Sequence, residues 1–197
     1  MKYLLFLLFI FLSIESKSQC LQANIIFLMD WSGSEFGNER QLSSSVLLFA
    51  DKLPISETQV QISIISFSSN AVIISELSGD RDLIKFQCLL LGSTAANGST
   101  VMLDATKLAI NDLISKDRGA RNIIIIISDG DIEDWQICEK EIRLAEGKIP
   151  LSTFAVQIGG DENGAYSLIK LTGDKNNVVG TTSLSIVEAL MLLNLCN

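Results

Sequence analysis

The sequence predicts a doubly wound α/β domain, with a mostly parallel six-stranded sheet, one antiparallel edge strand and helices on both faces. Short, continuous apolar segments alternate along the chain with longer segments of helical periodicity, which is typical of a parallel sheet covered on both faces. One pair of predicted strands is joined by only three residues, which is too few for a parallel crossover. No linker, repeat or low-complexity segment divides the chain.

The predicted strands are apolar and short. The first reads ANIIFLM and the fourth contains five consecutive isoleucines, as expected of strands buried on both faces. The second and third, VQISIISF and AVIISEL, are separated by Ser68, Ser69 and Asn70, and this tight connection predicts an antiparallel pair. The predicted strands are residues 23–29, 60–67, 71–77, 123–127, 151–158 and 177–180.

Helices are predicted between the strands. In the first, Leu42, Val46 and Phe49 have helical spacing, and Pro54 ends the pattern. Asp80 is the predicted N-cap of the second. The predicted helices are residues 36–53, 80–91, 102–115, 133–147, 165–172 and 184–195.

Residues 1–18 have the pattern of a secretory signal peptide. A short apolar run follows Lys2, and Ser16-Lys17-Ser18 fits a small-x-small cleavage site. No later segment has the roughly 20 apolar residues that a membrane span needs. We therefore expect a secreted, periplasmic or extracellular protein without a membrane span after cleavage. An uncleaved N-terminal anchor and a lipoprotein remain as alternatives.

The rest of the chain, residues 20–197, has the length of one domain with a sizeable core. The whole chain carries a formal charge of −8, which argues against nucleic acid and anionic membranes as partners and suits a cation ligand. The sequence contains no histidine, which excludes histidine-based catalysis and most zinc sites.

Four cysteines are present, and none belongs to a C-x-x-C pair. Behind a signal peptide, an even number of cysteines favours disulfides. We favour Cys20–Cys196, which joins the two ends of the domain, together with Cys88–Cys138. Buried free thiols are the alternative.

Three oxygen-rich segments lie where ligands bind in such folds. Residues 30–34 (DWSGS) follow the first strand, residues 128–131 (SDGD) follow the isoleucine strand, and residues 97–100 (NGST) lead into a helix. The carboxyl ends of parallel strands meet at one edge of the sheet. Carboxylates and hydroxyls without nitrogen or sulfur suit Mg²⁺, with Mn²⁺ or Ca²⁺ as alternatives.

These motifs resemble the von Willebrand factor type A domain: D-x-S-x-S after the first strand, a threonine opening a mid-chain helix, and S-D-G after branched aliphatics. The resemblance covers residues 20–196 and implies a metal-ion-dependent adhesion site. The metal ligands that it implies are Asp30, Ser32, Ser34, Thr100 and Asp129.

The resemblance also implies a function. The ion, Mg²⁺ with Mn²⁺ or Ca²⁺ possible, keeps an open position that a partner protein or peptide fills with an Asp or Glu carboxylate. The chain is then a binding or adhesion module and not an enzyme. A metal-free scaffold subunit of an envelope complex and a metal-dependent hydrolase are the alternatives. The sequence contains no histidine, glycine-rich phosphate loop or evident general base that would support a hydrolase.

Several neighbouring residues allow two interpretations. Trp31 is either a binding hot spot on the rim of the site or a packing residue. Ser99 could cap the helix in place of a ligand role for Thr100. Asp131, Glu133 and Asp134 form an acidic segment that opens the next helix or makes additional contacts at the metal.

Overall fold

The computed structural model describes residues 22–116, 118–159 and 162–180. Within them, six strands form one sheet in the order β3-β2-β1-β4-β5-β6, and only the β2–β3 pair is antiparallel. The predicted fold class is therefore confirmed. The strands are β1 (Ala23–Asp30), β2 (Val60–Phe67), β3 (Ala71–Ser78), β4 (Arg121–Ser128), β5 (Leu151–Gln157) and β6 (Val178–Gly180).

Five α-helices lie within the described residues, and they match the first five predicted helices with shifted ends. The Asp80 carboxylate accepts a hydrogen bond from Leu83 N at 3.0 Å, which confirms the predicted cap. The predicted helix 184–195 lies outside the described residues. The helices are α1 (Glu39–Lys52), α2 (Arg81–Leu91), α3 (Leu103–Ser115), α4 (Trp135–Glu146) and α5 (Glu162–Thr172).

The core has two halves, one on each face of the sheet. All eight residues of β1 are buried, as its continuous apolar sequence predicts. Alternate β1 side chains belong to different halves: Ile25 and Phe27 pack with α1 and α2, and Ile26 and Leu28 pack with α3, α4 and α5. Burying each such side chain stabilises the fold by about 1.5–3 kcal/mol.

The predicted Cys88–Cys138 disulfide is wrong. Both residues are buried free cysteines, Cys88 in the core half under α1 and α2 and Cys138 in the half on the opposite face. Burial raises the pKa of each thiol to about 12. Sequence spacing could not reveal this, because it does not tell which face of the sheet a helix covers. Cys20 and Cys196, the other predicted pair, lie outside the described residues.

Among the described residues, no helix has both the length and the apolar character needed to cross a membrane. The predicted signal peptide lies outside them.

Candidate metal centre

The order of the strands creates a switch point between β1 and β4. The chain continues from β1 to β2 and β3 on one side and from β4 to β5 and β6 on the other. β1 and β4 are parallel neighbours, with Met29 opposite Ile127. Asp30 and Ser128 therefore reach the same edge of the sheet, which is where ligands bind in doubly wound folds.

Asp30 is completely buried, and both of its oxygens are held. Oδ1 accepts from Ser32 N at 2.9 Å, and Oδ2 accepts from Ser128 Oγ at 2.6 Å. The loop after β1 and the end of β4 thus orient this carboxylate before any ligand binds.

Ser34 lies in a single turn of 3-10 helix, Gly33–Glu35, and Ser32 is the residue directly before this turn. Their hydroxyl oxygens are 3.0 Å apart; Ser32 is buried and Ser34 is exposed. Two oxygens bound at right angles to an ion, each about 2.1 Å away as in Mg²⁺ sites, are separated by about 3.0 Å. The hydroxyl pair therefore has the spacing of adjacent ligands of such an ion.

Asp129 meets a residue that the sequence reasoning missed. Glu35 is completely buried, and its Oε1 accepts from Asp129 N at 3.0 Å while its Oε2 accepts from Asn38 Nδ2 at 3.1 Å. One oxygen from each of Asp30, Glu35 and Asp129 lies within 4.8 Å of the others. The signal available in the sequence was an acidic residue directly after the last serine of D-x-S-x-S.

The electrostatics of this cluster favour a cation. Burial is the largest cause that raises the pKa of Asp30, and the charge of Asp129 adds to it. Burial, followed by the charges of Asp30 and Asp129, raises the pKa of Glu35 to about 7 despite its hydrogen bond from Asn38. None of the ion pairs within the described part of the chain involves these carboxylates.

Thr100 is buried on the loop that leads to α3. Its N–H donates to Glu133 Oε1 at 3.3 Å, and its carbonyl accepts from Glu133 N at 3.0 Å. The Asp134 carboxylate accepts from Met102 N and Leu103 N, each at 2.9 Å, and so caps α3. The acidic segment after β4 therefore positions the threonine loop, in addition to opening its own helix.

The capping alternative for Ser99 is wrong. Its hydroxyl lies 3.2 Å from Ser69 Oγ, and its N–H donates to that oxygen at 3.0 Å. The loop that contains Ser99 is also bonded to the D-x-S-x-S loop, because Gly33 N donates to Gly98 O at 2.9 Å. Gly98 has a φ of 92°, and a Cβ there would lie 2.6 Å from Ser69 Oγ, so glycine allows the three loops to meet.

Trp31 is a packing residue. It is 7% exposed, and its indole Nε1 donates to Thr94 Oγ1 at 3.1 Å. A role for its side chain on the rim is therefore wrong. The large apolar side chain that this loop exposes is Phe36, at 73%.

The structure brings the predicted residues to one edge in two groups. Asp30 and Asp129 share the carboxylate cluster, and Ser32 and Ser34 form the hydroxyl pair. Thr100 lies on a third loop, which is hydrogen-bonded to the D-x-S-x-S loop and to the acidic segment after β4. Such a set of hard oxygens fits a divalent cation such as Mg²⁺, Mn²⁺ or Ca²⁺.

The fold and the position of this cluster place the chain in the class of α/β domains that bind ligands at the carboxyl edge of a doubly wound sheet. The von Willebrand factor type A domain family matches residues 24–190, and the chain belongs to this family.

Solved structures of low sequence identity share the fold. The von Willebrand factor domain of the type V pili tip protein from Porphyromonas gingivalis has a TM-score of 0.76 at 10% identity, with 89% of this chain and 96% of that chain covered. Proximal thread matrix protein 1 from the mussel byssus, with a zinc-occupied MIDAS motif, has a TM-score of 0.75 at 16% identity, with 90% and 47% covered. Manganese-loaded Plasmodium vivax TRAP protein has a TM-score of 0.74 at 16% identity, with 89% and 73% covered.

This chain spans about half of some of these neighbours, including 48% of a structure of three N-terminal domains of the pili tip protein. It therefore corresponds to one domain of such proteins.

Proposed function

We propose that this protein is a secreted binding module that captures an acidic side chain of a partner protein or peptide through a divalent cation. The proposed ligands of the ion are Asp30, Ser32, Ser34, Thr100 and Asp129. The observation that carries the proposal is a carboxylate cluster, with Asp30 and Glu35 buried and Asp129 half-buried, beside a hydroxyl pair at the switch point of the sheet and without a basic partner among the described residues.

Each ligand has a distinct part in this proposal. Asp30 and Asp129 supply negative charge, and the hydroxyls of Ser32, Ser34 and Thr100 complete the donors without adding charge. Mg²⁺ prefers six oxygen ligands and usually keeps some waters, one of which a partner carboxylate can replace. The bound ion supplies the positive charge that attracts this carboxylate to an otherwise acidic surface, since Asp131 and Glu133 are exposed nearby.

The relatives support a cation and a binding role. Two of the similar structures contain zinc or manganese, and others are a pili tip protein and a pilus adhesin from Lactobacillus rhamnosus. For this chain we propose a hard divalent cation, since the same oxygens accept Mg²⁺, Mn²⁺ and Ca²⁺. We also propose that residues 1–18 are removed on secretion and that residues 20–197 form the domain.

A peptide-display selection tests the function without a known partner. The protein is immobilised in Mg²⁺, and bound peptides are eluted with EDTA. We expect the recovered peptides to be rich in Asp and Glu, and to lose binding when those residues are changed to Asn and Gln. The Asp129→Ala variant should behave like chelation, and Ser32→Ala and Thr100→Ala should bind more weakly. Peptides that bind equally well in EDTA would contradict the proposal.

A further inference from the structure

The carboxylate of Glu35 lies inside the proposed ion site, although the D-x-S-x-S motif ends one residue before it. The turn Gly33–Glu35 carries Ser34 outward to solvent and Glu35 inward, where it is completely buried. Its Oε1 accepts from Asp129 N, so Glu35 connects the loop after β1 with the loop after β4. It therefore lies close to both proposed acidic ligands, Asp30 and Asp129.

The hydrogen bonds of Glu35 suit an ionised carboxylate. A protonated carboxyl group has an O–H that must find an acceptor. Both oxygens of Glu35 instead face donors, Asp129 N–H at 3.0 Å and the Asn38 amide at 3.1 Å. Glu35 is thus held, fully buried, with an oxygen within 4.8 Å of one oxygen each of Asp30 and Asp129, where one cation can contact all three carboxylates.

The number of charges bears on which cation binds. Mg²⁺ is usually held by one or two carboxylates and keeps several waters, whereas Ca²⁺ accepts six to eight oxygens and its affinity increases with the charge of the ligands. Oxygens within 4.8 Å of one another can contact either ion, since opposite ligands of Mg²⁺ are about 4.2 Å apart and those of Ca²⁺ about 4.6–5.2 Å apart. The preference between the ions therefore depends on the number of carboxylates.

We propose that Glu35 is a third acidic donor to the ion held by Asp30 and Asp129, and that it makes this site prefer Ca²⁺ to Mg²⁺. This inference rests on the proposed function, since it concerns the same ion. It adds a sixth residue to the set implied by the motif, and it assigns the ion preference to one side chain.

Isothermal titration of the purified, EDTA-stripped protein with Ca²⁺ and with Mg²⁺ tests the proposal. We expect wild type to bind Ca²⁺ more tightly than Mg²⁺ by about tenfold or more. The reason is that a third carboxylate increases the affinity for Ca²⁺, whereas Mg²⁺ is usually bound by only one or two. Glu35→Gln should weaken Ca²⁺ binding by about tenfold and Mg²⁺ binding by less than about threefold, so the preference narrows. The glutamine oxygen can still accept from Asp129 N, whereas its amide nitrogen takes the place of Oε2 beside the Asn38 amide.

Two further variants make the result specific. Asp131→Asn removes one charge from an exposed neighbour on the same edge and should change both affinities by less than about threefold. Glu35→Asp keeps the charge and should retain part of the Ca²⁺ preference. Near-ultraviolet circular dichroism checks that each variant is folded.

The outcomes separate the two proposals. If Asp30→Asn abolishes binding of both ions while Glu35→Gln leaves the ratio of affinities as in wild type, the inference about Glu35 is wrong and the proposed function stands. If wild type binds neither ion, the proposed function fails and the inference with it.

Discussion

At the amino ends of the strands, the Arg118 guanidinium donates to three backbone carbonyls and to the buried Asn24 side chain, at 2.7–2.9 Å. At the carboxyl ends, by contrast, the buried carboxylates of Asp30 and Glu35 and the half-buried carboxylate of Asp129 lie together without a basic partner among the described residues. At one edge of the sheet, the Arg118 side chain thus donates to acceptors of the chain. At the other edge, three carboxylates lie together.

This contrast separates stability from function. Arg118 ties residues from β1, from the loop before β2 and from its own loop into one hydrogen-bonded unit, so the acceptors that it contacts are satisfied within the chain. Clustered buried carboxylates disfavour the folded state unless a cation or protons neutralise them. The carboxyl edge is therefore where we expect the protein to respond to its surroundings.

The largest effect is expected from Asp30→Asn. At an ion concentration 100-fold above Kd, a ligand bound only by the folded state stabilises it by about 2.7 kcal/mol. Wild type should gain this stability in Ca²⁺ or Mg²⁺, and Asp30→Asn should gain none. In EDTA the variant should be at least as stable as wild type, because one buried charge has been removed. Thermal unfolding with and without ions measures both; an undiminished ion effect in the variant would mean that the ion binds elsewhere.

The next effect is expected at the opposite edge. Arg118→Met should lower the free energy of unfolding by about 2 kcal/mol, because it leaves buried acceptors such as Asn24 Oδ1 without a charged donor. The loss should be the same with and without Ca²⁺. Urea unfolding measures it, with Arg40→Met on the exposed face of α1 as the matched control. A loss of stability only in the presence of the ion would show that the two edges are coupled.

A smaller effect is expected from pH in the presence of EDTA. The pKa of Glu35 is about 7 in the folded protein against an ordinary value of 4.5, so the folded state binds more protons between these values. Stability should therefore increase by about 1–2 kcal/mol as the pH falls from about 8 to about 5. Glu35→Gln should flatten this dependence, which urea unfolding at each pH would record. An equally steep dependence in the variant would assign the effect to other carboxylates.

The smallest effect is expected in the core, at the buried thiols of Cys88 and Cys138. With a pKa raised to about 12, chiefly by burial, neither thiol should react appreciably with an alkylating reagent at neutral pH, with or without the ion. Both should react once urea unfolds the protein. A non-reducing peptide map that links these two cysteines would contradict the structure. The same map tests the remaining prediction, a bridge between Cys20 and Cys196.

The fold could be predicted from the sequence because its signals are local. The apolar runs of β1 and β4 require strands buried on both faces, and the three-residue turn at 68–70 requires an antiparallel β2–β3 pair. The parallel core of the sheet then brings Asp30 and Asp129 to the same edge, so the position of the candidate site also followed from the order of its elements.

Only the tertiary structure determined the contacts between residues that are distant in the chain. Glu35 is buried because Asp129, 94 residues away, donates to it, and Asp134 caps a helix that begins 31 residues before it. Likewise, Cys88 and Cys138 are kept apart by the sheet, although their number and context suggested a bridge. Periodicity and turn chemistry act over a few residues, whereas these contacts depend on how the loops and helices pack around the finished sheet.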